Sequence, residues 1–322
     1  MTANHEALIE KLQPHVQPVL AQDAMSEAGR KALLNDFIKM LQNEAGSRAG
    51  EDTVGVHDMR VATRRMRSTL RLLSNHYKPK VIDPYLNDMS TVAEALGEVR
   101  DLDVMLDEIS RFAETLGEHN DLQPILDQLE AKRTKARKAL VRALDKRSYR
   151  RFVEDYAAFL SKPGKGVLPV DPDEIRPFQV RHLLPELIYE HLGAVRAYDD
   201  VIEEADDLTL HALRIEFKRL RYAIAIFADV LGKSAAEFLN ELKVVQDHLG
   251  KLNDLHIAQD QLNNIARGLD QQTQAETISA LEQYSAHLNE EQQTLRAGVN
   301  QVWAHFNSKT VQRQLSNAVA AL

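Results

Sequence analysis

The chain has 322 residues, 44% of them hydrophobic, so it can bury a core of its own in one large domain or two modest ones. It contains no cysteine, which excludes disulfides and thiolate metal sites and is consistent with a reducing compartment. The net charge of −8 opposes binding of a polyanion unless positive charge is segregated onto one face.

Residues 1–24 are predicted to form an accessory segment, because Pro14 and Pro18 interrupt a weakly amphipathic stretch. The beginning, Met1 to Lys11, lacks the basic run and apolar stretch of a secretion signal. No later segment approaches about 18 consecutive apolar residues, the length of a membrane span. We therefore expect a cytoplasmic protein with no membrane partner.

From residue 25 onward, apolar residues recur at helical spacing, and Gly and Pro fall mostly between these stretches. This pattern predicts an all-α fold. Residues 161–177 are rich in Pro and Gly and are predicted to be a linker within a domain spanning 25–308, between repeat halves 25–160 and 178–308. Helices are expected at about 27–46, 56–75, 83–115, 122–160, 178–202, 208–231, 234–267 and 273–307.

The second half of the chain resembles the first at a nearly constant offset. Residues 56–73 align without gaps on 210–227 with four identities, all of them His or Arg. Residues 85–104 align on 238–257 with seven identities in twenty. We infer two pseudo-symmetric four-helix bundles that arose by internal duplication.

Each repeat contains a row of basic residues on one helix face, because their positions advance by three and four. The opposite face of each helix is apolar and suits a core. The first row consists of His57, Arg60, Arg64, Arg67 and Arg71, and the second of His211, Arg214, Lys218 and Arg221.

Like charges at this spacing repel one another by a few tenths of a kcal/mol per pair, so a row of them favours a nearby anion. Arg side chains match phosphate oxygens, and successive positions about 5–6 Å apart would meet successive phosphates of an extended chain. The alternative is a solvated face, or one paired with carboxylates such as Asp101, Asp103 and Asp254.

The pattern H-x-x-R-[VI]-x-x-[RK]-R-[LM]-R occurs at His57–Arg67 and again at His211–Arg221. With the repeated LGxxxDL segments at Leu96–Leu102 and Leu249–Leu255, it resembles the signature of the CHAD family, the conserved histidine α-helical domain. This resemblance covers about residues 25–306.

Membership would imply two bundles facing a basic channel, affinity for inorganic polyphosphate, and association with polyphosphate granules in the bacterial cytoplasm. Two positions depart from a regular repeat, since Ala225 replaces Arg71 and Glu216 lies beside the second row. The residues that match the family pattern are His57, Arg60, Arg64, Arg65, Arg67, His211, Arg214, Lys218, Arg219 and Arg221.

Several roles stay open at the level of sequence. His57 and His211 would either donate to phosphate or orient the helix, and Arg65 and Arg219 point about 100° away from the main rows. Ten of the twenty residues from 132 to 151 are Lys or Arg. This run is either a solvated face or an extension of the groove through Arg137, Lys138 and Arg142.

The predicted function is non-catalytic binding of inorganic polyphosphate through a basic groove. Such binding would target the protein to granules or regulate them, with granule-associated proteins as further candidate partners. We expect no metal, no cofactor and no catalytic residue. The alternatives are a helical module that binds RNA or DNA, which the aromatic content of 6% makes unlikely, and a phosphohydrolase.

Overall fold

The computed structural model describes residues 3–117, 122–169, 175, 177–269 and 274–322. Within these ranges the chain has no β-strand, only two isolated bridges, which confirms the all-α class. The helices are α1 (Ala3–Leu12), α2 (Met25–Ala49), α3 (Val54–Leu72), α4 (Pro79–Leu116), α5 (Gln123–Asp145), α6 (Arg147–Leu160), α7 (Val180–Arg196), α8 (Asp207–Ala225), α9 (Ala228–Leu231), α10 (Lys233–Ala266), α11 (Ala275–Phe306) and α12 (Lys309–Val319).

The single helix predicted over 122–160 is wrong, because the chain breaks between α5 and α6. Lys146 takes an extended conformation (φ −62°, ψ 144°) that no helix interior allows. The break redirects α6 so that its aromatic face packs into the core, where the rings of Phe152 and Tyr156 stack at 5.5 Å. Helical periodicity continues across the break, so the sequence pattern does not reveal it.

Other helix ends also differ from the sequence prediction. The helix expected over 208–231 ends at Ala225 and is followed by the short α9. The helix expected to reach residue 202 ends at Arg196. Beyond residue 308, α12 begins at the N-cap Ser308 and buries Val311 and Leu315, so the packed structure extends past the predicted domain end.

The first half is organised around two antiparallel pairings, α2 with α3 and α4 with α5. The helices α2 and α3 cross closely because Gly55 lies on the backbone of Gly46, where a Cβ on Gly55 would come within 2.5 Å of the Gly46 carbonyl carbon. In the second half α7 pairs with α8 and α10 with α11, so the two halves use corresponding helix pairs. The duplication itself stays a prediction from the repeat.

Two hydrophobic clusters hold the chain together. The larger one contains buried side chains from α1 to α3, the first part of α4, the last part of α5, α6, and most helices of the second half. The smaller one joins the last part of α4 and the first part of α5 to the last part of α10 and the first part of α11. There the rings of Phe112 and Tyr284 lie 4.7 Å apart, which ties the two long hairpins to each other.

The predicted accessory segment packs on the body of the protein. Leu12 and Val19 are buried, and Lys31 of α2 donates to the carbonyl oxygen of Pro18 and to Asp23. The predicted linker 161–177 lies partly outside the described residues, which omit 170–174 and 176. Its first part runs beside residues 76–78, with Leu168 donating to the carbonyl oxygen of His76.

Candidate functional site

The two basic rows lie on helices that contact each other, since α3 packs directly against α8. The apolar faces predicted for both helices are buried, as Met59 and Met66 of α3 and Phe217 and Leu220 of α8 show. Burying these faces turns the basic faces outward from the core and toward one another. The contact between α3 and α8 therefore brings together residues 154 positions apart in the chain.

Between these helices and α10 lies a groove of about 500 Å³, which we call the basic groove. Five predicted site residues line it, from both rows. The described lining residues are His57, Arg64, Arg214, Lys218, Arg221, Tyr222, Gln246, Asp247, Gly250, Lys251 and Asp254.

Lys218 lies at the point where positive charge is densest. Burial lowers the pKa of its ammonium group, and the charges of Arg214, Arg64 and Arg60 lower it as well. Asp254 compensates only in part, so the pKa falls to about 8. Three guanidinium groups from both repeats thus act on one amine. A cluster of this kind is electrostatically unfavourable without an anion beside it.

Two carboxylates lie at corresponding positions of the repeat and face each other at this site. Arg60 approaches Asp101 at 4.0 Å, and Arg214 approaches Asp254 at 3.9 Å. Burial raises the pKa of Asp101, and the negative charge of Asp254 raises it as well, against the opposing effect of Arg60. Both ion pairs are long and both carboxylates are mostly exposed, so neither pair holds its arginine firmly.

The two histidines of the repeated pattern have different surroundings. His57 lines the basic groove, and burial followed by the charge of Arg100 lowers the pKa of its imidazole. His211 instead forms a 2.6 Å hydrogen bond through Nδ1 with the amide oxygen of Asn253 and lines a different cleft. In the repeat, Asn253 occupies the position of Arg100, so the exchange of one neighbour separates the two environments.

Arg65 and Arg219 form ion pairs with carboxylates outside the groove lining. Arg65 donates through Nε to the buried Asp36 at 3.1 Å, and Arg219 pairs with Glu216 at 2.6 Å one turn earlier on α8. Both belong to the predicted set, and the structure gives both a local partner. The 100° offset from the main rows accounts for this placement.

Arg67 and Arg71 continue the row of α3 beyond the groove lining. Burial lowers the pKa of Arg67, and the adjacent charge of Arg71 lowers it further, with Glu94 opposing. Arg221, the counterpart of Arg67, donates to the amide oxygen of Gln246 at 2.7 Å. The first row is therefore more exposed and the second more tightly held.

The run from 132 to 151 does not contribute to the described groove lining. Arg137 reaches the C-terminal end of α2, where its guanidinium lies on the φ +66° residue Gly50 and 3.5 Å from the carbonyl oxygen of Arg48. A cation at this place is favoured by the helix dipole. Lys138 and Arg142 lie exposed on α5.

Sequence reasoning missed lining residues contributed by α10. Lys251 approaches Glu108 at 3.5 Å and Glu291 at 3.7 Å, and Gln246 belongs to the same wall, while Tyr222 of α8 adds an aromatic ring to the lining. The signal was present in the repeat: residues 247, 250, 251 and 254 advance by three, one and three along one face of α10. The repeat does not single out Lys251 as a basic position, because its counterpart in the first half is Glu98.

The CHAD domain family profile matches residues 31–263, which is most of the chain. The chain belongs to the CHAD family.

Two solved structures share its fold. The CHAD domain from the plant Ricinus communis is 24% identical with a TM-score of 0.68, and the alignment covers 95% of each chain. PptA from Streptomyces chartreusis is 16% identical with a TM-score of 0.67, covering 87% of this chain and 99% of that one. A comparison with curated protein sequences finds no match.

Two kinds of feature are absent from the described residues of this CHAD chain. No group of three or more His, Cys, Asp or Glu side chains there is arranged to hold a metal ion. No helix in the same ranges is long and apolar enough to cross a bilayer.

Proposed function

We propose that this CHAD protein binds inorganic polyphosphate without chemical conversion, in the basic groove between α3, α8 and α10. The observation that carries the proposal is the convergence of Arg60, Arg64 and Arg214 on Lys218, which depresses the pKa of that lysine. An extended polyanion would relieve this repulsion along its whole length. The family relationship supports the same ligand class.

The groove suits an extended anion better than a compact one. Its positive groups come from α3, α8 and α10 and are spaced along the groove, so that successive phosphates would each meet a guanidinium or an ammonium group. Arg60 and Arg214 approach exposed carboxylates at 4.0 and 3.9 Å, and pairs this long would release both arginines to phosphate at little cost. Binding would bring the protein to polyphosphate granules or regulate them.

Titration with long-chain polyphosphate at two salt concentrations tests this proposal. We expect tight binding that weakens steeply as salt increases, since each neutralised phosphate releases counterions. The variant Arg64→Ala/Lys218→Ala should lose most of the affinity. The control Lys162→Ala/Lys165→Ala removes the same charge at exposed positions outside the groove lining and should bind normally.

Single-stranded RNA serves as the competitor in the same titration. Stacking platforms are typical of proteins that bind single strands, and Tyr222 is the one aromatic side chain in the described groove lining. Equal displacement of polyphosphate by RNA, or unchanged affinity in the Arg64→Ala/Lys218→Ala variant, would refute the proposal. Release of orthophosphate from bound polyphosphate in the presence of Mg²⁺ would overturn its non-catalytic part.

A further inference from the structure

A second cleft, separate from the basic groove, opens between the beginning of α8 and the middle of α10. It has a volume of about 340 Å³ and an apolar floor, formed by Leu210, Leu249 and Leu252. On its edges Leu208 is 80% exposed and Ile257 is 46% exposed. Large aliphatic side chains exposed on both edges of an apolar cleft mark an interaction site.

The polar groups around this cleft are already paired with one another. His211 is bonded to Asn253, Asp207 forms an ion pair with Arg296, and His256 lies 3.9 Å from Asp260. A site for a small polar ligand needs polar groups that converge on the ligand and fix its orientation. Here the free surface is aliphatic, which favours an apolar side chain carried by a protein segment.

The electrostatic surroundings restrict the partner further. Just before α8 the chain carries Glu203, Glu204 and Asp206, and Asp207 follows at the first position of the helix. The one cation in the described lining of the adjoining surface, Arg296, is occupied by Asp207 and the carbonyl oxygen of Ala205. Asp206 and Asp207 line this adjoining surface, and with Glu203 and Glu204 just before them in the chain they form what we call the acidic rim, which complements a basic partner.

The corresponding place in the first half is built differently. Asp103, the counterpart of His256, is buried and accepts a 2.6 Å hydrogen bond from Arg133 of α5. His256 is instead exposed, with no arginine above it in the described contacts. The open cleft thus reflects a specific divergence of the second repeat and is not a consequence of the shared fold.

We propose that this cleft docks a basic amphipathic segment of a partner protein, which inserts one or two large apolar side chains and places Lys or Arg beside the acidic rim. The cleft and the basic groove are lined by successive stretches of α8, up to His211 and from Arg214, and by different faces of α10, so the protein would hold a polyanion and a basic segment at the same time. Attraction between a basic partner and the acidic rim would also keep that partner out of the basic groove.

A synthetic basic amphipathic peptide of about three helical turns, with Leu on one face and Lys on the other, is the probe. Methyl NMR spectra of the full chain would locate it. We expect the signals of Leu208, Leu249, Leu252 and Ile257 to shift. A peptide with Glu in place of Lys, and one with Ser in place of Leu, should each fail to shift them.

Affinity measurements with variants test the same contacts. Leu208→Ser/Ile257→Ser should weaken peptide binding at least about tenfold, the size typical of an anchor residue. Glu203→Gln/Glu204→Gln should weaken it several-fold at low salt and less at high salt. Val244→Ser, which removes another exposed aliphatic group of α10 outside the cleft lining, should change nothing.

Saturating polyphosphate should leave peptide affinity unchanged, and the Arg64→Ala/Lys218→Ala variant should bind the peptide normally, so this inference can fail independently of the proposed function. Shifts confined to the basic groove, absence of shifts at the four cleft residues, or equal binding of the Glu peptide would overturn it. A concentration-dependent dimer in light scattering that Leu208→Ser/Ile257→Ser abolishes would show that a second copy of this chain is the occupant instead.

Discussion

Arg64 of α3 and Lys218 of α8 occupy equivalent positions in the two repeats and line the same groove, where their charges repel each other. Burial, then Arg214, and then Arg64 lower the pKa of Lys218 to about 8. In the free protein, Lys218 therefore loses its proton at a pH only slightly above neutral. Polyanion binding in the groove should therefore depend on pH near 8.

Polyphosphate affinity should decrease as pH rises through about 8. Below this pH Lys218 carries its proton and contributes a charge, whereas above it the free protein must bind a proton before that charge is present. Titrations from pH 7 to 9 would measure the decrease. Lys218→Arg stays charged throughout and should flatten the profile while keeping the affinity at pH 7; an unchanged slope in this variant would contradict the assignment.

Removing the two facing carboxylates should strengthen polyanion binding. In the variant Asp101→Asn/Asp254→Asn, Arg60 and Arg214 lose their 4.0 and 3.9 Å partners and become free for phosphate. Each exposed pair contributes about 0.2–1 kcal/mol, so releasing both arginines should increase affinity about two- to thirtyfold.

The matched control for the carboxylates is Glu276→Gln/Glu282→Gln, which changes net charge equally at exposed positions of α11. A similar gain in this control would mean that overall charge, and not the two named contacts, limits affinity. Isothermal titration at one salt concentration compares all three proteins.

Arg65 should matter for stability and not for the ligand. Arg65→Ala leaves Asp36 buried at 4% exposure without its ion-pair partner, which we expect to cost about 1–3 kcal/mol in the free energy of unfolding. Arg219→Ala, at the equivalent repeat position, loses only a short-range surface pair with Glu216 and should cost less than about 0.5 kcal/mol. Urea unfolding measures both losses of stability. A large loss of polyphosphate affinity in Arg65→Ala would contradict this prediction and show that Arg65 takes part in binding.

Acid should strengthen polyphosphate binding through His57. Burial and then Arg100 lower the pKa of His57 below its usual value of 6.5, so it is neutral in the free protein near pH 7. As pH falls through that lowered pKa, protonation adds a charge to the groove lining, and polyphosphate affinity should rise. His57→Gln should lose this rise, whereas His211→Gln should keep it, because His211 faces the cleft with Asn253.

Some features could be predicted from local pattern alone. Helical spacing identified most of the helices and both buried faces of α3 and α8, because burial of an apolar face leaves the same period in any all-α protein. The break at Lys146 and the helix α12 were missed, since neither is marked by Pro, Gly or a loss of amphipathic period. The family signature was recognisable in both repeats and is confirmed by the profile match.

By itself the sequence determined that two basic faces exist, that each is opposed by an apolar face, and that they repeat. Only the tertiary structure decided which of those side chains meet. A charged side chain on a helix finds its partners on other helices, and one changed neighbour can give it a different partner. Because Asn253 stands where the first repeat has Arg100, His211 forms a hydrogen bond that His57 does not have the partner for. Arg65 likewise pairs with Asp36 of another helix. Contacts of this kind depend on helix crossing and on residues far away in the chain, so no local spacing encodes them.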